Sequence, residues 1–134
     1  MVLRKVITVI FLVVILLVIG ACTGKLEGKI ELYAWYNEDT GELLTPIEYV
    51  KTGQIAYVFF DYGKPMNYDS ITMSVFRNSG NGRSSYYDDF MIIDPNTSKV
   101  IFSMEINEAA EYEIVIYFED PDNPIAKKKL YVFD

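Results

Sequence analysis

Gln54-Ile55-Ala56-Tyr57-Val58-Phe59-Phe60-Asp61-Tyr62 is the stretch that decides the fold class. Ile55, Tyr57 and Phe59 alternate with Ala56, Val58 and Phe60, so both faces are apolar. A short run of this kind, entered through the turn pair Thr52-Gly53, reads as a central strand of a sheet. Upstream, Ile30, Leu32, Ala34 and Tyr36 alternate with Glu31, Tyr33 and Trp35, which predicts a first strand with one face inward. Asn37 to Gly41 supplies a turn, and Glu42 to Val50 is broken by Pro46, which places it at an edge.

The same period continues downstream. Ile71, Met73 and Val75 mark one face of a strand over Asp69 to Arg77, and a Ser/Gly/Asn-rich loop follows. Further strands are expected at Tyr87–Ile93, Lys99–Glu105, the stretch carrying Tyr112, Ile114, Ile116 and Phe118, and Ile125–Phe133. Asp94-Pro95-Asn96-Thr97 and Asp120-Pro121-Asp122-Asn123-Pro124 are the turns between them. Seven to eight short strands at this spacing, with little helical periodicity, predict an all-β antiparallel sandwich over residues 29–134.

Two segments resemble immunoglobulin-like domains. Val50-Lys51-Thr52-Gly53-Gln54 is similar to the turn into strand B, and Glu108-Ala109-Ala110-Glu111-Tyr112-Glu113-Ile114 is similar to the beginning of strand F. The resemblance implies a tyrosine corner at Tyr112, its hydroxyl bonded back to nearby backbone. It also puts Ile114 where true immunoglobulins carry the second disulfide cysteine, with Phe60 or Val58 opposite and Met73 or Val75 in place of the strand C tryptophan. These departures point to a disulfide-free relative, as in bacterial immunoglobulin-like or fibronectin type III-like modules. The likeness spans about residues 45–133.

Ahead of this region, Arg4 and Lys5 precede an apolar run from Val6 to Ile19, interrupted only by Thr8. The run is shorter than the roughly 20 apolar residues that cross a bilayer. A basic start, a short apolar run and a small-residue exit describe a secretory signal helix over residues 1–21. Ile19-Gly20-Ala21-Cys22 resembles the lipobox of bacterial lipoproteins, with Ile19 where the family more often has Leu. That resemblance implies cleavage between Ala21 and Cys22 and acylation of the Cys22 thiol, so palmitate on Cys22 is expected. Cys22 is the only cysteine and has no internal partner, and acylation accounts for it. Residues 22–28 then form a short tether to the membrane. The expected location is lipid-anchored on the cell membrane or outer membrane of a bacterium.

Composition narrows the function classes. The 134 residues carry a net charge of −7, and loss of Arg4 and Lys5 with the signal leaves 10 Lys+Arg against 19 Asp+Glu, a net −9. Such a chain lacks the clustered cations that nucleic acid requires, so no nucleic acid partner is expected. Lys127-Lys128-Lys129 is the one basic run, and it reads as a solvated face or edge protection. There is no histidine, which removes Ser-His-Asp and Cys-His catalysis and the commonest zinc ligand.

The remaining motifs each carry a sharp and a plain reading. Asp39-Thr40-Gly41 matches the aspartic protease triplet, but it follows Tyr36-Asn37-Glu38 rather than an apolar strand and reads as a turn. Asp88-Asp89 and Asp120/Asp122/Asn123 could offer oxygens to calcium or could be solvated turns. Asn78 to Tyr87 has the Ser, Gly, Asn, Tyr and Arg content of binding loops, with Arg83, Tyr86 and Tyr87 as candidate contacts, or is a plain hairpin connection. Tyr33 and Trp35 could stack on a sugar ring or pack under a neighbouring layer. The expectation is a non-enzymatic module that binds an envelope or extracellular protein or serves envelope structure, with a carbohydrate-binding module as alternative. No catalytic residue, metal or cofactor is expected.

Overall fold

A computed structural model describes residues 26–134. The signal segment, Ala21 and Cys22 lie outside the described residues. The period-two alternation becomes nine strands: β1 (Lys29–Asn37), β2 (Glu42–Pro46), β3 (Tyr49–Lys51), β4 (Ile55–Asp61), β5 (Ser70–Ser79), β6 (Gly82–Ile92), β7 (Lys99–Glu105), β8 (Ala110–Tyr117) and β9 (Ala126–Phe133). They form a four-stranded sheet in the order β2-β1-β4-β7 and a five-stranded sheet in the order β3-β9-β8-β5-β6. The all-β sandwich expected from the sequence is therefore the observed architecture.

The count exceeds the seven to eight strands expected because Pro46 divides Glu42–Val50 between the two sheets. Proline has no N–H to extend a ladder, and β2 ends on it. The Ile47 N–H then donates to the Leu32 carbonyl at 2.9 Å, and the chain crosses to the other sheet. There β3 runs parallel to β9, with Tyr49 opposite Tyr131 and Lys51 opposite Phe133, while the other paired strands are antiparallel. A second difference lies at the Ser/Gly/Asn stretch. Only Gly80 and Asn81 are loop, because Ser79 already pairs with Gly82 and β6 begins there rather than at Tyr87. Exposed serines on an edge strand have the composition of a loop while their backbone stays in the ladder.

The inner faces interdigitate into one core. Ile30 and Leu32 of β1, Val58 and Phe60 of β4, and Val100 and Phe102 of β7 meet Ile71, Met73 and Val75 of β5, Ile114 and Ile116 of β8, and Leu130 of β9. The inward face of β1 stops at Leu32: Ala34 and Tyr36, also expected inside, are half-exposed. Tyr112 is fully buried, and its hydroxyl donates to the Glu108 carbonyl at 2.8 Å, four residues back. Burial holds its phenol above the ordinary tyrosine range.

Gly28 sets how the chain enters the sheet. Its φ is +93°, and a Cβ there would lie 2.5 Å from the Phe60 ring, so only glycine fits at this contact. Lys29, Asp61 and Lys99 share one end of the four-stranded sheet. At that end Phe118 stacks on Tyr68 at 4.2 Å and meets Tyr62 edge-on at 5.4 Å. The Gly80-Asn81 hairpin, the Thr52-Gly53 turn and the chain end at Phe133 lie at the opposite end, joined by Thr52 N–H to Phe133 carbonyl at 2.7 Å.

Candidate functional site

Two of the three residues expected to form a binding loop are committed to the sandwich itself. Arg83 Nη1 donates to Glu113 Oε1 at 2.9 Å, and its guanidinium lies 4.1 Å from the centre of the Phe76 ring. Tyr86 occupies a bulge, since Val75 pairs with Tyr87 and Phe76 with Ser85. Its ring meets Tyr112 edge-on at 5.1 Å, and its hydroxyl accepts the Asn107 N–H at 3.2 Å. Tyr87 is exposed. The three therefore sit on a strand, not a loop, and face different surroundings.

What β6 offers instead is an edge. Among the described residues it pairs only with β5, and its 11 residues contain neither proline nor lysine. Beyond the bulge, Tyr87 to Ile92 pairs with Ser70 to Val75 without a register shift. Phe90 and Ile92 in this stretch are 63% and 80% exposed. The other edges of the two sheets are protected or shorter: β3 has three residues, β2 ends in Pro46 with Thr45 at φ 60°, and β7 has seven residues. A long edge with unpaired backbone groups and exposed apolar side chains is a template for an added strand.

A second surface lies on the outer face of the four-stranded sheet. Tyr57 and Phe59 point away from the core there, opposite Ser103 and Ile101 of β7. Tyr36 and Glu38, from the end of β1 and the turn after it, line this face, and the Tyr36 and Tyr57 rings are 5.8 Å apart. The result is a groove of about 450 Å³, walled by five consecutive residues of edge strand β7, Lys99 to Ser103. Val100 and Phe102 bury their side chains in the core, so their backbone forms part of that wall. Beside it, Tyr33 packs edge-on against Phe59 and donates to Glu31 at 2.6 Å, a bond that raises the Tyr33 phenol. Lys29, with Tyr33, holds the Glu31 carboxyl below its ordinary value.

The two-sided apolar run of β4 reads as a central strand. It is central in its sheet, but only the Ala56, Val58 and Phe60 face is buried; Ile55 is 50% exposed. Among the described residues the sandwich has two layers, and none covers the other face. Trp35 is 59% exposed, paired across the hairpin with exposed Leu44, so it does not pack under a neighbouring layer.

Asp39-Thr40-Gly41 and Asp120/Asp122/Asn123 are turns, whereas Asp88-Asp89 lies in β6. Asn37 Oδ1 accepts the Asp39 and Thr40 N–H groups, and Asp120 Oδ1 accepts the Asp122 N–H at 2.9 Å. Asp88 accepts the hydroxyl of buried Ser74 at 2.6 Å. Among the described residues, no group of three or more His, Cys, Asp or Glu is placed to hold a metal ion. No protein-family model matches the chain, and no curated protein matches it.

Proposed function

We propose that this chain is an exported lipoprotein, anchored through acyl groups on Cys22, whose immunoglobulin-like domain binds an envelope or extracellular protein without catalysing a reaction. The observation that carries the binding role is the free edge of β6 from Tyr87 to Ile92, with Phe90 and Ile92 exposed beside it. A partner segment that adds a strand there would satisfy the unpaired backbone groups and cover both side chains. The immunoglobulin-like reading is supported by the Tyr112 to Glu108 bond and by β3, which leaves the first sheet and pairs in parallel with the last strand. The lipoprotein reading is supported by the signal segment, Ile19-Gly20-Ala21-Cys22 and the single cysteine. The lack of histidine supports a non-enzymatic role.

Two experiments test this. Cys22→Ala should abolish labelling by radioactive palmitate, and retained label would refute the anchor. Crosslinking from intact cells, with a tag after Asp134, should recover a specific protein with wild type. It should lose that protein with Phe90→Lys/Ile92→Lys, a change confined to exposed positions. Equal recovery by both would rule out the β6 edge as the contact.

A further inference from the structure

We infer that the groove between Tyr36 and strand β7 is a saccharide-binding site for an uncharged glycan chain. It rests on different residues from the β6 edge and lies on the other sheet, so either reading can fail alone.

The lining selects the ligand class. Tyr36, Tyr57 and Phe59 present aromatic surface, which suits the apolar C–H faces of a sugar ring. Polar groups surround them: Lys99 donates, Glu38 accepts, and the Ser103 hydroxyl does both. Neither Lys99 nor Glu38 takes part in an ion pair among the described residues, so both are free to meet hydroxyl groups. On the side away from β4, edge strand β7 adds backbone N–H and C=O groups that no strand among the described residues takes up. Hydroxyl-rich rings with apolar faces match all three features at once. An acyl chain would leave the lysine and the carboxylate desolvated without partners, and an anionic polymer would meet Glu38 on a protein of net charge −7. The volume of about 450 Å³ falls in the range of small-ligand clefts and corresponds here to a short run of sugar rings lying along an open groove. A peptide strand added in the plane of β7 would bypass Tyr57 and Phe59, which stand out from the sheet face.

The test is calorimetric titration of the detergent-solubilised full chain with tetrasaccharides of glucose, mannose, xylose and N-acetylglucosamine. At least one should bind saturably, and its affinity should hold in 1 M NaCl, about a 3 Å screening length. Tyr36→Ala should weaken binding about tenfold, in line with losing one aromatic contact of the strength such rings provide. Ser103→Arg, at an exposed position that leaves the core untouched, should fill the groove and abolish binding. Trp35→Ala, outside the groove, and Phe90→Lys/Ile92→Lys should leave it unchanged. The inference is overturned if the folded chain binds none of the four sugars at millimolar concentration. It is equally overturned if bound sugar tolerates Ser103→Arg.

Discussion

Replacing Tyr112 by phenylalanine removes one oxygen from the centre of the sandwich and nothing else. The ring is fully buried, and its hydroxyl makes a 2.8 Å bond to the Glu108 carbonyl, tying the 106–109 connection to the start of β8. A net intramolecular hydrogen bond is worth about 1 kcal/mol, and a partner left unsatisfied adds to the loss, so Tyr112→Phe should cost about 1–2 kcal/mol. For a domain near 100 residues that is a fall in Tm of roughly 4–10 °C. Urea denaturation of the full chain in detergent, followed by far-ultraviolet circular dichroism, reads the same loss as a lower midpoint at unchanged slope. Tyr86→Phe is the internal control. Its hydroxyl accepts one exposed backbone N–H that water can replace, so its cost should stay below about 0.5 kcal/mol. A Tyr112→Phe midpoint equal to that of wild type, or no lower than that of Tyr86→Phe, would refute the reasoning that this bond pins the beginning of β8.

Two further outcomes follow from the geometry. Gly28→Ala forces a left-handed residue against the Phe60 ring and should cost about 2–4 kcal/mol, checked by the same urea curves; a neutral result would mean the chain enters β1 by another path. Tyr62 has its phenol pushed up to about 12, by burial first and then by its hydrogen bond to Glu27. The unfolded value lies near 10, so this stabilisation is complete below about pH 10 and is lost as pH rises through the folded value. Tyr62→Phe should therefore lose less stability than wild type between pH 10 and 12, and superimposable curves would contradict the assignment.

The sandwich was legible because its signals are local. Ile71, Met73 and Val75 all face the core as their alternation requires, and the Tyr112 bond spans only four residues. Pro46 was readable as a break, but the sheet on which the next residues would settle was not. That choice depends on β9, more than 80 positions away in the chain. The start of β6 was hidden because Ser84 and Ser85 carry loop-like side chains on a paired backbone. The groove was missed for the opposite reason. Tyr57 and Phe59 look like core residues, and alternation alone does not say which of two apolar faces lacks a covering layer. The aromatic content of β1 did signal an outward surface at Tyr33 and Trp35, but the approach of Tyr36 to Tyr57 has no local signature.

The way β1 joins its sheet also bears on how the domain would behave under tension. A tether at Cys22, if loaded along the axis of β1, would pull on the strand through Gly28. The five pairs from Lys29–Asp61 to Tyr33–Tyr57 lie in line with that pull. In such a joint the bonds slide against one another and resist together, where a hairpin pulled across its strands would peel open one rung at a time. A partner gripping the β6 edge on the other sheet would complete the line of force through the core. Detachment would then wait on slippage of the whole β1–β4 ladder, an event set by the unfolding rate of the domain rather than by its resting stability.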